Sequence, residues 1–118
     1  MDTSTKVILD RALGLRNAGG AERLYQELCD LFVADAPRLM ALVRGAVAAR
    51  SPSDLQQAAH ALRGAAQQIG AQCVAERAKR LEQMGKTSSL DGAEAEERGL
   101  IEEIKQLLIV LNRAESQS

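Results

Sequence analysis

The longest periodic segment of the chain runs from Ala21 to about Ala49. Its apolar residues recur at steps of three and four positions, which places their side chains on one face of a helix. They are Leu24, Leu28, Leu31, Phe32, Leu39, Leu42, Val43 and Val47. Pro37 interrupts the segment, because a proline lacks an amide hydrogen and crowds the preceding turn. We therefore predict a long amphipathic helix that is kinked at Pro37, or two helices placed end to end.

Signals for helix ends divide the middle of the chain into two shorter helices. Ser51-Pro52-Ser53 supplies a capping hydroxyl and a first-turn proline, and predicts a helix that runs to about Gln68. Another helix follows from about Gln72 to Met84, with Gly85 as its C-cap. Its inward-facing residues are expected to be Cys73, Val74, Ala78 and Leu81. Across the tight turn Ile69-Gly70-Ala71, the two helices should form an antiparallel hairpin.

The two ends of the chain supply one short and one long element. Apolar residues around the possible N-cap Asp10, before the stop signal Gly19-Gly20, mark a short N-terminal element. They are Val7, Ile8, Leu9, Leu13 and Leu15. After a polar loop from Lys86 to Gly92, the last helix carries one apolar stripe. It consists of Ala93, Leu100, Ile101, Ile104, Leu107, Leu108 and Leu111. Four long helices predict an all-α fold, an antiparallel four-helix bundle with a short additional N-terminal helix.

Length and composition agree with one helical domain. The 118 residues fit a single domain, 1–118, whose bundle core spans about 21–113. The chain contains no Trp, one Tyr and one Phe, so its core must be mainly aliphatic. Ala, Leu, Glu, Arg and Gln dominate and favour helices, whereas the β-branched and aromatic residues typical of strands are sparse.

Charge and hydropathy exclude two classes of partner. The formal net charge is -1, with acids and bases interspersed, so no broad positive field could hold a nucleic acid. No stretch approaches the roughly 18 apolar residues of a membrane span, and the N-terminal sequence lacks the apolar region of a secretory signal. Cys29 and Cys73 match no metal-ligand spacing, so we interpret them as buried, reduced thiols. A soluble cytoplasmic domain without a metal site is expected.

His60 is the only histidine of the chain, and its direction follows from the roughly 100° step per residue of a helix. The apolar residues of the same helix cluster within about 40° of one direction. They are Leu55, Ala59, Leu62, Ala66 and Ile69. His60 lies roughly 140° to 160° from that direction, so its imidazole should face solvent. Because a lone surface histidine is more often incidental than functional, its neighbours decide the interpretation.

The exposed face around His60 carries four further candidate site residues, Gln56, Arg63, Gly64 and Gln67. A glycine inside a helix costs about 0.5 to 1 kcal/mol relative to alanine, so Gly64 needs a reason. Close helix packing is one reason, but Gly64 points away from the core. The other is clearance for a bulky partner beside His60. Arg63 is either a solvated charge or a cation that offsets phosphoryl charge, and Gln56 and Gln67 could contact the same partner.

Residues 59–71, AHALRGAAQQIGA, resemble the AHxLKGxxxxxGA signature of histidine-containing phosphotransfer (HPt) domains. The likeness continues in LEQMG at 81–85, similar to the family's LExxG segment, and in three earlier segments. These are Gly19-Gly20, Leu24-Tyr25 and Phe32-Val33-Ala34-Asp35-Ala36-Pro37. Arg63 stands where the family usually has Lys, which keeps the charge but changes its geometry. Ala65-Ala66 replace the Ser pair of many members, so no hydroxyl there can assist.

The resemblance implies that His60 accepts a phosphoryl group from a receiver-domain aspartate and passes it to another receiver. The chemistry of the residue agrees, because a neutral imidazole is nucleophilic near neutral pH and its phosphoramidate can exchange with an acyl phosphate. The implied partners are response-regulator receiver domains and a hybrid sensor histidine kinase. The chain would be a phosphocarrier without kinase activity and without a cofactor, since Mg²⁺ would belong to the receiver. A monomer would suffice.

Glu82 is a further candidate, because the sequence midpoint between His60 and Glu82 is Ala71, inside the predicted turn. Antiparallel folding should therefore bring the two side chains level. Members of the family often place Gln or Glu here to accept a hydrogen bond from the ring Nδ1–H, which leaves Nε2 as the nucleophile. Glu82 could instead be only an exposed residue on the flank of its helix.

Two other classes of function remain open. A histidine-kinase dimerisation domain also exposes a histidine on a helix, but HALRG lacks the Pro usual in that motif and the chain has no room for an ATP-binding domain. A non-catalytic helical interaction bundle would be expected to lack the nucleophile, which is present here with its Gly and basic neighbours. Incubation with a phosphorylated receiver, or with ATP alone, separates the three.

Overall fold

A computed structural model describes residues 7–116 of the chain, with side chains as far as Arg113, and contains only helices as regular structure in that range. The helices are α1 (Arg11–Asn17), α2 (Glu22–Ala48), α3 (Pro52–Ile69), α4 (Gln72–Lys86) and α5 (Ala93–Ser116). The all-α prediction is confirmed. No helix within this range is both long and apolar enough to cross a membrane. The outer ends of the predicted domain, residues 1–6 and 117–118, lie outside the described residues.

The four long helices form a closed ring. Each of α2, α3 and α4 packs against the next helix in sequence, and α5 returns to pack against α2. Across the described residues, the diagonal helices α3 and α5 have no Cα atoms within 8 Å of each other. Short connections between neighbouring helices make consecutive helices antiparallel. With α1 packed on α3 and α2, this is the predicted antiparallel four-helix bundle with a short additional N-terminal helix.

The core is aliphatic apart from Tyr25, Cys29 and Phe32, and it determines how α3 is rotated. All five residues predicted to face inward on α3 are buried, and they are Leu55, Ala59, Leu62, Ala66 and Ile69. The opposite side of α3 must then face solvent, since helical side chains radiate at about 100° per residue. The buried stripe therefore turns His60 outward.

The predicted helix across Pro37 forms without a break, since α2 is one helix from Glu22 to Ala48, and the alternative of two separate helices is wrong. The assignment of its apolar residues to the core also needs correction. Leu24, Leu31 and Leu42 are 44%, 64% and 47% exposed. The buried residues are Tyr25, Cys29, Phe32, Ala36, Leu39, Val43, Ala46 and Val47.

Most predicted helix ends are found where the capping residues placed them. The Asp10 carboxylate accepts a hydrogen bond from the amide of Leu13 (3.0 Å), and the Ser51 hydroxyl accepts one from the amide of Asp54 (3.4 Å). Gly70 ends α3 with a φ of 81°, a left-handed conformation that glycine adopts without a Cβ clash. The antiparallel hairpin of α3 and α4 follows directly from this turn.

Gly85 is not the C-cap of α4, because the helix continues to Lys86 and ends at Thr87. Gly85 is buried, and a Cβ at this position would lie 2.6 Å from both the amide nitrogen of Gln56 and the carbonyl oxygen of Pro52. The absence of a side chain therefore lets the backbones of α3 and α4 approach each other. The close approach of α3 and α4 at Gly85 occurs one helical turn from His60 and therefore next to the candidate site.

Side chains of α1 and α2 fix the carboxyl end of α3. Asn17 donates its amide hydrogens to the carbonyl oxygens of Gln67 (3.2 Å) and Gln68 (3.3 Å). The hydroxyl of Tyr25 donates to the carbonyl of Ile69 (2.8 Å), and burial raises the pKa of this hydroxyl well above its ordinary value. The last turn of α3 therefore has partners for carbonyls that a helix end leaves free.

Cys29 and Cys73 form no disulfide bond. Cys29 is buried, as expected, whereas Cys73 is only half-buried and its Sγ donates to the carbonyl of Val7 (3.2 Å). The expectation of two buried thiols is therefore correct for Cys29 alone. Cys73 is more exposed than expected because it lies near the start of α4, at the edge of the bundle.

Candidate functional site

His60 stands on the outer face of α3 with 67% of its side chain exposed. The predicted orientation toward solvent is confirmed. An open cavity of about 500 Å³ adjoins the ring and is lined by Gln56, Gln57, His60 and Glu82. A partner can therefore reach the imidazole without any rearrangement of the bundle.

Glu82 lies level with His60 on the neighbouring helix, as the hairpin around Ala71 predicts. Its Oε2 is 2.8 Å from Nδ1 of His60, and only 17% of its side chain is exposed. A carboxylate can only accept, so Nδ1 carries the hydrogen and donates it. In the neutral ring this leaves Nε2 with a free lone pair. The interpretation of Glu82 as a merely exposed flank residue is therefore wrong.

Arg63 completes a group of three side chains that we call the His60–Glu82–Arg63 trio. Its Nη2 donates to Oε2 of Glu82 (3.4 Å), and its Nε lies 2.6 Å from Oε1. The Nε–H bond is not aimed at that oxygen, so this second contact is an ion pair and not a hydrogen bond. Nη2 also lies 3.3 Å from Nδ1 of His60. Because Nδ1–H already donates to Glu82 at a shorter distance, this last contact joins two donors that share one acceptor.

The trio determines the charge state of Glu82. Partial burial acts to raise the pKa of this carboxyl, but the hydrogen bonds from His60 and Arg63 outweigh it and lower the pKa below its ordinary value. Glu82 is therefore a carboxylate at neutral pH. No group of three or more His, Cys, Asp and Glu side chains that could hold a metal ion is found in the described part of the chain, the trio included.

Gly64 lies on the exposed face one turn after His60, as predicted. A Cβ placed on it would have no heavy atom of another residue within 4 Å, apart from its own helix and chain neighbours. The alternative of close helix packing is therefore wrong for Gly64, although it holds for Gly85. Because Gly64 has no side chain, no group projects from this part of the helix surface beside the imidazole.

The two glutamines predicted beside His60 are placed differently. Gln56 is half-buried and lines the cavity at His60. Gln67 lines another cavity, near the turn between α3 and α4, together with Leu13 and Gly70. Gln67 lies seven positions after His60, which is about 10 Å along the helix axis. The two side chains point in nearly the same direction from α3, but this distance keeps them apart. Gln57 does line the cavity at His60; it lies within about 60° of His60 on the helical projection, which could have identified it.

A groove between α2 and α3 continues from the cavity at His60. It has a volume of about 470 Å³ and is lined by Ala41, Leu42, Gly45, Ala46, Asp54, Gln57, Ala58 and Ala61. Gln57 lines both spaces, so they are adjacent. The exposed side chain of Leu42 lies in this groove. The sequence interpretation missed the groove because it assigned Leu42 to the core.

Comparison with known proteins gives one family model and one similar solved structure. A family model described as the Hpt domain matches residues 27–114. Among solved structures, the crystal structure of histidine-containing phosphotransfer protein B (HptB) from Pseudomonas aeruginosa PAO1 is similar, with a TM-score of 0.86 and 23% sequence identity. The match covers 97% of this chain and 99% of that one. No curated protein matches the chain. At this identity the structural likeness concerns the fold, whereas the family model covers most of the sequence.

Proposed function

The chain belongs to the Hpt domain family, whose members carry phosphoryl groups on histidine in phosphorelay signalling, and we propose that His60 is its phosphoacceptor. His60 is the only histidine of the chain. The observation that carries the proposal is the 2.8 Å contact between Nδ1 of His60 and Glu82. It holds the ring in the tautomer whose other nitrogen, Nε2, is free to react.

The transfer itself can be written with these groups. The lone pair of Nε2 attacks the phosphorus of an aspartyl phosphate on a receiver domain. The bond from phosphorus to the aspartate oxygen breaks, an N–P bond forms, and the aspartate leaves as a carboxylate. The ring keeps its Nδ1 proton and gains positive charge, which the Glu82 carboxylate stabilises. The reverse sequence delivers the phosphoryl group to a second receiver.

The proposed partners are response-regulator receiver domains and a hybrid sensor histidine kinase that phosphorylates them. We propose that a receiver docks over the open surface at Gly64 and over the groove at Leu42. The receiver would supply Mg²⁺ and the acidic residues that hold it, so this chain needs no cofactor of its own. A monomer acting in the cytoplasm is sufficient for this chemistry, because the trio lies within one chain.

The deciding experiment measures acid-labile phosphate on the purified chain after incubation with phosphorylated receivers from the host. The wild-type protein should take up label, and His60→Gln should take up none while its helicity and melting temperature stay nearly unchanged. Undiminished labelling of His60→Gln would overturn the assignment.

Two controls separate the alternative functions. Incubation with ATP alone should leave the chain unlabelled, because it contains no GxxxxGK or kinase-like nucleotide motif. Robust labelling by ATP would favour the kinase dimerisation domain. A wild-type chain that binds phosphorylated receivers but takes label from none of them would be the non-catalytic interaction bundle.

A further inference from the structure

The side chain of Arg63 is directed into the gap between α3 and α4 and not toward the open cavity at His60. Only 27% of it is exposed, compared with 67% for His60. The residues that line the cavity at His60 are Gln56, Gln57, His60 and Glu82, without Arg63. The guanidinium contacts the ring at Nδ1, whereas the proposed phosphoryl group bonds to Nε2. The cation is therefore placed on the side of the ring that does not react.

The contacts of Arg63 with Glu82 involve both carboxylate oxygens. Nε lies 2.6 Å from Oε1 and Nη2 lies 3.4 Å from Oε2, which is the oxygen that also faces His60. A carboxylate on a flexible side chain can rotate, and contacts to both oxygens restrict that rotation. The planar guanidinium keeps its nitrogens in fixed positions, so Nη2 can donate to Oε2 while Nε pairs with Oε1 by charge, whereas a lysine ammonium acts as a single point charge.

From this geometry we propose that Arg63 is a positioning residue, which holds the Glu82 carboxylate in the rotation that accepts the Nδ1 proton of His60 and does not itself bind the phosphoryl group. The inference rests on the proposed function of His60. It changes the sequence-based interpretation of Arg63, in which the cation offset phosphoryl charge directly. It also assigns a structural reason to the Arg that stands where related domains usually have Lys.

A double-mutant cycle separates action through Glu82 from direct contact with the phosphoryl group. Arg63→Ala should slow phosphoryl transfer by about tenfold, the factor that corresponds to ~1.4 kcal/mol. In a Glu82→Ala background the same change should have almost no further effect, because the residue through which Arg63 acts is gone. An equal tenfold loss in both backgrounds would show that Arg63 acts on the phosphoryl group itself and would overturn the proposal. An Arg63→Ala protein that transfers at the wild-type rate would overturn it too.

The second measurement is spectroscopic and does not depend on transfer. Nitrogen-15 shifts of the His60 ring report which nitrogen carries the hydrogen in the neutral form. The Nδ1–H tautomer should dominate in the wild-type chain, fall in Arg63→Ala and recover in part in Arg63→Lys. The pKa of Glu82 should rise in Arg63→Ala, because one of the two bonds that lower it is lost. An unchanged tautomer population in Arg63→Ala would contradict the positioning role.

Arg80→Ala is the matched control. Arg80 lies on α4 two residues before Glu82, is exposed, and pairs with Glu96 (3.7 Å) instead of with the trio. Its loss removes one positive charge from the same region but should change neither transfer nor tautomer. A slowing by Arg80→Ala equal to that by Arg63→Ala would mean a general charge effect and would overturn the assignment.

If Arg63→Ala does not fold, the double-mutant cycle is carried out with Arg63→Lys instead. Failure of the proposed function is distinct, since the wild-type chain would then take no label on His60.

Discussion

Gly64 has open space where a side chain would stand, although glycine is an unfavourable residue inside a helix. Gly64→Gln should therefore raise the free energy of unfolding by about 0.5 kcal/mol. The same change should slow transfer tenfold or more, on the order of 1.4 kcal/mol in the barrier, because the new side chain stands beside His60 where a receiver would dock. Denaturant unfolding and transfer rates measure the two effects.

The control for this prediction is Ala95→Gln, which adds the same side chain at an exposed position of α5. It should leave the transfer rate unchanged. If Gly64→Gln transfers at the wild-type rate, a docked receiver does not need the open space at Gly64, and the glycine at this position has another reason.

The individual site residues differ in how far the sequence could predict them. The direction of His60 follows from the helical projection, and its contact with Glu82 follows from the hairpin, because both depend only on helix geometry and one turn. The engagement of Arg63 with Glu82 could not be predicted in this way. A long side chain on the edge of a face can turn to solvent or to the neighbouring helix, and the partner across the gap decides which.

Helix α2 carries two apolar rows with the same spacing, one position apart. The buried row contains Tyr25, Cys29 and Phe32, and the other row contains the exposed Leu24 and Leu31 with the half-buried Leu28 between them. Steps of three and four occur in both rows, so periodicity alone could not select the one that faces the core. Leucine is the more apolar choice by residue type, which is why the sequence interpretation mixed the two rows. Packing against α3 and α5 decides the rotation.

The close approach of α3 and α4 at Gly85 is a second feature that a single helix pattern cannot reveal. Gly85→Ala should lower the free energy of unfolding by about 1–3 kcal/mol, because the added Cβ would lie 2.6 Å from backbone atoms of α3. It should also slow transfer, since the forced separation lies one turn from the contact of Glu82 with His60. Denaturant unfolding followed by circular dichroism measures the first effect.

Gly45→Ala is the matched comparison for Gly85, because Gly45 is also inside a long helix but has open space at the Cβ position. It should raise the free energy of unfolding by up to about 1 kcal/mol, from the helix preference of alanine. A similar stabilisation by Gly85→Ala would mean that the two helices separate freely and that their close approach is not required.

In the whole bundle, α4 contributes to the proposed site through its contact with α3 and is stabilised by charged residues at its contact with α5. The trio lies between α3 and α4, and the groove beside it lies between α2 and α3. Between α4 and α5, Arg77 of α4 donates to Glu103 (3.0 Å) and Glu96 (2.8 Å) of α5. The hydrogen bonds to these carboxylates raise the pKa of Arg77 above its ordinary value. The helix that carries Glu82 is thus held by a charged cluster that does not face the site.

The groove between α2 and α3 provides a test of how a receiver docks, because the chain offers one exposed apolar residue inside the groove and another outside it. Leu42, in the groove, is 47% exposed, and Ile109, on α5, is 49% exposed. Leu42→Glu should weaken receiver binding and slow transfer about tenfold or more, because it puts a charge into an apolar contact. Ile109→Glu should leave both unchanged, since Ile109 does not line the groove and the Cα atoms of α5 lie more than 8 Å from those of α3 within the described residues. Both variants should unfold within about 0.5 kcal/mol of the wild-type protein. Titration with a receiver, followed by transfer rates, measures the effect, and an equal loss in both variants would show that the groove is not the docking surface.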